Sequence, residues 1–150
     1  LIGGGIGIPP MLELAKELAK EDLSVRVVLG YRDSALFLKE EFEPFAEVFI
    51  STEDGSAGTR GNVIDAIREN GLSADEIYAC GPIPMLRGVK AFAAEHGISA
   101  QISMEERMAC GIGACLACVC QSKETDAHSH VKNKRVCKEG PVFDAEEITI

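Results

Sequence analysis

Gly3-Gly4-Gly5-Ile6-Gly7-Ile8-Pro9-Pro10 stands between the apolar pair Leu1-Ile2 and a helical pattern, and its reading decides the fold. Glycines let the backbone turn tightly and bring its N–H groups, with the positive end of the following helix, against a phosphate. The pyrophosphate of a dinucleotide suits such a turn, with Gly4, Gly5, Gly7 and Pro10 as its candidate residues. Ile8 stands where the usual G-x-G-x-x-G fingerprint has its third glycine, which disfavours a standard Rossmann dehydrogenase. A tight structural turn without ligand is the alternative for this motif alone. Leu1-Ile2 reads as the end of a buried strand whose beginning is missing, so the sequence is expected to be part of a longer protein.

Outward from this turn, strands alternate with helices. Met11, Leu12, Leu14, Ala15, Leu18 and Ala19 recur at helical spacing opposite Glu13, Lys16, Glu17 and Lys20. The stretch from Ser24 to Gly30 is β-branched and short, as a strand buried on both faces of a parallel sheet requires. A helix is expected from Ala35 to Phe42, a strand at Val48-Phe49-Ile50 and a helix from Gly61 to Asn70. A strand at Glu76-Ile77-Tyr78-Ala79 and a helix from Pro84 to His96 follow. This alternation predicts an α/β fold, a doubly wound parallel sheet over residues 1–100. From Ile98 the pattern changes to a strand through Met104, then to an irregular cysteine-rich segment with a polar loop from Gln121 to Lys134 and a last strand near Ile148-Thr149-Ile150. A small second module is expected over 101–150.

The 150 residues, 46% hydrophobic, suffice for one sizeable core and a small satellite. The net charge of −9 disfavours nucleic acid and anionic membranes as partners. With no long apolar run and no leader-like segment, a cytoplasmic location is expected. Five of six cysteines fall within residues 110–137, which favours metal ligation over a disulfide framework.

Ala79-Cys80-Gly81-Pro82-Ile83-Pro84-Met85 repeats the strand-to-helix arrangement of the first motif, at the carboxyl end of the sheet where ligands bind in open α/β folds. Cys80 read alone is equally a small buried residue. Together the two turns resemble the pyridine-nucleotide lobe of the ferredoxin–NADP reductase superfamily, which implies that Cys80, Gly81 and Pro82 lie beside the nicotinamide. The resemblance puts the adenosine end past the third strand. There Ser51-Thr52-Glu53-Asp54-Gly55-Ser56 brings no basic residue before Arg60. Carboxylates repel a 2′-phosphate and accept hydrogen bonds from a free 2′-hydroxyl, so Thr52, Glu53 and Asp54 point to NAD(H) over NADP(H). An Asp-Gly turn with no ligand is the plainer reading.

Cys110, Cys115 and Cys118 are separated by four and two residues, and Cys137 follows after eighteen more. This is the spacing of plant-type [2Fe-2S] clusters, in which a loop of small residues wraps the cluster. Gly111, Gly113, Ala114 and Ala117 supply small residues here. Tetrahedral zinc is the alternative, although structural zinc sites more often pair their cysteines in two close couples. Cys120 competes with Cys118 as third ligand, and the spacing selects Cys118, with Cys120 turned to the same side of a short strand. His128 and His130 read as solvated. No nucleophile–base pair or paired carboxylates support hydrolysis, and no catalytic residue is assigned.

The segment from Met104 to Cys120, with Arg135-Val136-Cys137-Lys138-Glu139-Gly140-Pro141-Val142-Phe143, resembles the electron-transfer subunits of NAD-dependent (class 1B) dihydroorotate dehydrogenases, and Gly3 to Met11, Thr52 to Ser56 and Cys80 to Met85 match in order. The resemblance implies an FAD-binding barrel ahead of this sequence, NAD as cofactor, and Cys110, Cys115, Cys118 and Cys137 as ligands of a [2Fe-2S] cluster. It further implies an FMN-containing catalytic partner subunit in a heterotetramer that oxidises dihydroorotate in pyrimidine biosynthesis. These 150 residues contain no Arg-x-Tyr-Ser-type FAD motif, so they should bind FAD poorly alone. A related electron-transfer subunit of a hydrogenase, sulfide dehydrogenase or transhydrogenase complex is the first alternative, and a zinc-stabilised nucleotide-binding module the second.

Overall fold

A computed structural model describes residues 1–127 and 130–150; His128 lies outside the described residues. The chain opens with β1 (Ile2–Gly4), a single 3-10 turn (Gly5–Gly7) and α1 (Ile8–Leu18), whose two prolines occupy the first turn, where a missing N–H costs nothing. Then come β2 (Arg26–Tyr31), α2 (Lys39–Phe42), β3 (Glu47–Thr52), β4 (Thr59–Arg60), α3 (Val63–Glu69), β5 (Glu76–Cys80) and α4 (Ile83–His96). The chain closes with β6 (Ser99–Ser103), β7 (Val119–Ser122), β8 (Asn133–Arg135), β9 (Val142–Asp144) and β10 (Ile148–Thr149).

The main sheet has the order β4-β3-β2-β1-β5-β6-β9, parallel except for β9, which runs antiparallel to β6. Strand order therefore reverses between β1 and β5, the switch point at which α/β folds open a ligand crevice. β2 shows why both faces of this sheet are covered. Val27, Leu29 and Tyr31 pack with Ile8, Met11, Leu12 and Ala15 of α1 and Phe42 of α2, while Val28 joins the helices α3 and α4 on the other face. That is the period-2 alternation of a strand buried on both sides.

The C-terminal segment is continuous with this core. Cys118, Cys120, Val136, Phe143, Ala145 and Ile148 belong to the same apolar cluster as Leu86, Val89 and Ile102. β7, β8 and β10 make a separate three-stranded antiparallel sheet. The position between residues 100 and 101 falls inside β6, and β9 returns to the main sheet from within the cysteine-rich segment.

Two expectations need correction. The helix expected from Ala35 to Phe42 is one turn at Lys39–Phe42. Asp33 Oδ1 accepts the Ala35 N–H, the buried Tyr31 hydroxyl donates to the Phe37 carbonyl at 2.9 Å, and Leu38 takes a left-handed conformation, so the chain ahead of Lys39 is an anchored loop. The helix expected from Gly61 starts at Val63, because Asn62 and Asp65 form a capping box that fixes its first turn.

Gly7 determines how closely the first turn meets β5. A Cβ there would lie 2.1 Å from the Cys80 carbonyl oxygen and 2.3 Å from its carbon. Backbone cannot rotate aside, so Gly7→Ala should force β1 and β5 apart and lower stability by about 2 kcal/mol. The urea midpoint, read at constant slope, measures this; an unchanged midpoint would contradict it.

Candidate functional site: a nucleotide cleft beside a cysteine loop

A cleft of about 1100 Å³ opens at the carboxyl ends of β1, β2, β3 and β5, with α3 and α4 as its other wall. Of the residues expected to bind a dinucleotide, Gly4, Gly5, Glu53, Gly81 and Pro82 line it together. The close approach of the two turns explains their glycines. A side chain at Gly4 would meet Met85 Sδ at 2.7 Å, and one at Gly81 the Met85 methyl at 2.5 Å.

The other expected residues lie outside the cleft lining. Gly7 packs on the Cys80 carbonyl, and Pro10 is exposed in the first turn of α1. Thr52 is fully buried, its hydroxyl donating to the Ala57 carbonyl at 2.7 Å and accepting the Ala57 N–H at 3.1 Å, so it closes its own loop. Asp54 turns to Ser56, accepting its N–H at 2.9 Å and its hydroxyl at 2.6 Å, and these bonds hold its carboxyl below the usual range. Cys80 is half-buried; desolvation raises its thiol pKa, with Glu105 adding to the shift.

Reading the sequence alone missed Arg32, Asp33, Asn62 and Glu105, all of which line the cleft, and named Ser51, which lines it too, only as the start of the stretch past the third strand. Arg32 and Asp33 directly follow β2, and the rule that ligands sit beyond strand carboxyl ends marks them. Glu105 carried no local signal, because it reaches the cleft only through the pairing of β6 with β5.

From Glu105 the chain enters the cysteine loop. Gly111, Gly113 and Leu116 adopt left-handed conformations that curl the backbone so that its amides face the sulfurs. Cys110 Sγ accepts the N–H groups of Ile112, Cys115 and Ala114, the Cys115 contact measuring 3.4 Å, and these bonds pull its pKa down to about 6. Cys118 Sγ accepts the Cys137 N–H at 3.4 Å. Cys110 is in side-chain contact with Cys115, and Cys137 with Cys118, a contact that together with desolvation raises the Cys137 thiol.

The four sulfurs thus come as two pairs, and among the described residues no three such donors converge on a single ion position. Two pairs wrapped by inward amides fit a [2Fe-2S] cluster, in which each iron takes two thiolates and backbone N–H groups bond the sulfurs. When bound, such a cluster carries single electrons. Cys120 is buried behind the loop and contacts the Lys134 carbonyl at 3.5 Å, with its thiol held up by burial. His130 is exposed.

Arg135 ties the two parts of this site together. Its Nη1 donates to the Gly113 carbonyl at 3.1 Å, and its Nε donates to both carboxylate oxygens of Glu139 at 3.0 and 3.1 Å, with Asp126 at 3.8 Å. Glu139 also accepts the Arg135 backbone N–H at 2.6 Å. The guanidinium therefore clamps the loop that carries Cys110 and Cys115 to the segment that carries Cys137.

Fold and site together have the form of a pyridine-nucleotide lobe joined to a cysteine-rich iron–sulfur module, the class found in oxidoreductases. Residues 1–91 match the family described as oxidoreductase NAD-binding domain, and residues 105–149 match the iron-sulfur cluster binding domain of dihydroorotate dehydrogenase B. The chain belongs to the NAD-binding oxidoreductase family and is a homologue of the electron-transfer subunits of NAD-dependent dihydroorotate dehydrogenase B.

Such a subunit from Fusobacterium nucleatum is 45% identical over 155 residues, covering 100% of this chain and 57% of the relative. One from Geobacillus thermodenitrificans is 47% identical over 152 residues, covering 100% of this chain and 56% of the relative. The chain thus spans just over half the length of the curated relatives it matches. Among solved structures, an NADH-dependent reduced ferredoxin-NADP oxidoreductase, described in connection with flavin-based electron bifurcation, superposes with a TM-score of 0.84. It shares 29% identity, over 99% of this chain and 52% of that one. No helix among the described residues is long and apolar enough to cross a membrane.

Two outcomes follow from the loop. In iron-free protein at pH 7, Cys110 is mostly thiolate because its pKa lies near 6, while burial keeps Cys80 and Cys120 protonated. Iodoacetamide should label Cys110 before either, and the preference should fade as pH falls below about 6. Peptide mass spectrometry reads the order, and prior labelling of Cys80 would contradict it. In protein loaded with iron and sulfide, Arg135→Met removes the clamp and should speed iron loss to a chelator roughly tenfold. Arg135→Lys, lacking the fork, should restore little.

Proposed function

We propose that the chain is the nucleotide-binding and cluster-binding part of an electron-transfer subunit that passes electrons from dihydroorotate oxidation to NAD⁺. In this reading the oxidising site is on an FMN-containing partner subunit, and FAD is held mainly by an N-terminal domain that these residues do not include. The observation that carries it is adjacency: Glu105 lines the nucleotide cleft, and the first cluster ligand, Cys110, follows five residues later. Nucleotide site and cluster loop are thus two ends of one short segment leaving β6.

Nucleotide binding is assigned to residues 1–100 and cluster binding to residues 101–150. Gly4, Gly5, Gly81 and Pro82 would hold the pyrophosphate and nicotinamide side of NAD(H). Glu53, on a loop whose first basic residue is Arg60, lines the cleft together with Arg32 and Arg68, and its carboxylate favours a free 2′-hydroxyl over a 2′-phosphate. Met108, Ile112 and Leu116 are exposed around the cysteine loop, at 53%, 76% and 41%. An apolar rim around a redox centre suits docking of the partner subunit. The assembly proposed is a cytoplasmic heterotetramer.

The likeness to the ferredoxin-linked oxidoreductase supports a second reading, an electron-transfer subunit in a complex with different donors. The two separate by what co-purifies. An FMN-containing partner that oxidises dihydroorotate supports the first, and exchange of electrons with ferredoxin or H₂ supports the second.

Iron and acid-labile sulfide analysis of anaerobically prepared chain tests the cluster. About two irons and two sulfides per chain are expected, with a rhombic EPR signal on reduction that Cys137→Ser impairs. Stoichiometric zinc in place of iron would overturn the electron-transfer reading.

A further inference from the structure

α4 presents two stripes to two different sites. Met85, Gly88, Phe92 and Glu95, spaced by three, four and three residues, line the nucleotide cleft. Leu86, Val89 and Ala93, each one position further on, are buried in the apolar cluster that also holds Cys118, Cys120, Val136 and Ile148. The helix is therefore a shared wall, with the nucleotide cleft on one side and the cysteine-rich segment on the other.

On the cysteine side the small sheet does the arranging. Val119, next to Cys118, pairs with Arg135, two residues before Cys137, and the Val136 N–H donates to the Cys118 carbonyl at 2.9 Å. This pairing brings Cys118 and Cys137 together as one half of the ligand set. β7 in turn is flanked by β10. Ser122 is in register with Ile148 and Gln121 with Thr149, the Lys123 N–H donates to the Glu147 carbonyl at 2.9 Å, and Lys134 of β8 pairs with the Glu147 carboxylate. β10 is two residues long, so its ladder to β7 is short. Lys90 reaches it from α4. This lysine lies one turn beyond Leu86, is half-buried, and donates from Nζ to the main-chain carbonyl of Ile148. Burial and Lys123 lower its pKa, while Asp144 and Glu146 favour its charged form. A hydrogen bond from an ionised donor is stronger than one between neutral groups.

We infer that Lys90 is a positioning residue for the half of the cluster site made by Cys118 and Cys137, fixing β10, and β7 through it, to the helix that walls the nucleotide cleft. The inference rests on the cluster reading proposed above. The two halves of the ligand set are then held by different means. Cys110 and Cys115 sit in the curled loop that Arg135 clamps to the segment of Cys137, whereas Cys118 leads into a sheet anchored on α4. An outer partner of this kind acts on metal ligands through the backbone that carries them. Losing the Lys90 bond should loosen the half that contains Cys118 while the Arg135 clamp stays in place.

The test compares the full chain with its Lys90→Met and Lys90→Arg variants, each loaded anaerobically with iron and sulfide. Methionine keeps an unbranched apolar stem and removes the donor, whereas arginine keeps a charged donor, and one bond to a carbonyl needs no particular fork. In Lys90→Met, iron should pass to a chelator roughly tenfold faster, the loss typical of a removed outer partner. The g values of its reduced EPR signal should also shift, and Lys90→Arg should restore both. Gly7→Ala, which lowers stability at the β1 turn and leaves the small sheet untouched, is the control and should keep the parent's g values. Unchanged iron release and g values in Lys90→Met, no restoration in Lys90→Arg, or an equal shift in Gly7→Ala overturns the inference and leaves the cluster reading standing. A Lys90→Met chain that does not fold overturns it too, because the lysine then serves the whole core. A parent chain that takes up no iron overturns the cluster reading and the inference with it.

Discussion

The turn after β1 presses on the carbonyl of Cys80 with no side chain between them, and the rest of the molecule is arranged around that contact. Because Gly7 lacks a Cβ, the two central strands carry their glycine turns side by side at the point where strand order reverses. Gly4 and Gly81 then come close enough to share one methionine, Met85, as their packing partner. The crevice is a consequence of close backbone approach, and a nucleotide bound as proposed would meet main-chain groups there, because side chains have been kept out of the way.

The same economy of side chains recurs in the cysteine loop, with a different purpose. Three left-handed residues, Gly111, Gly113 and Leu116, curl the backbone, and the N–H groups of Ile112, Cys115 and Ala114 lower the Cys110 pKa. Arg135 acts one step away from the sulfurs, on the carbonyl of Gly113 and the carboxylate of Glu139. Loop curvature thus aims amides at the sulfurs, and the arginine fork holds the loop of Cys110 and Cys115 against the segment of Cys137.

What was legible in the sequence follows from how local each cause is. Val27-Val28-Leu29 announces a doubly buried strand because β-branched runs have few other uses, and the close spacing of Cys110, Cys115 and Cys118 announces a tight loop, which the structure folds so that Cys110 meets Cys115 and Cys118 meets Cys137. The four-residue α2 was misread as a longer helix because the Tyr31 hydroxyl and the Asp33 carboxylate, both outside the apolar pattern, hold Ala35 and Phe37 in a loop. β8, with the polar sequence Asn133-Lys134-Arg135, owes its existence to pairing with β7 and has no apolar alternation to show. The clamp made by Arg135 was invisible for the same reason, since it acts through Gly113, 22 residues away.

β9 carries a consequence for how such a protein can be taken apart. It leaves the cysteine-rich segment to pair with β6, and it brings Phe143 into the core shared by α4 and the parallel strands. Excising the segment as a cassette would strip a strand from the sheet and leave the backbone of β6 bare, an invitation to edge-to-edge association. The cysteine-rich segment and the nucleotide lobe consequently share one sheet. Recombination that separated them would have to rebuild a sheet edge as well as a linker, whereas a join placed ahead of β1 would leave this sheet order intact.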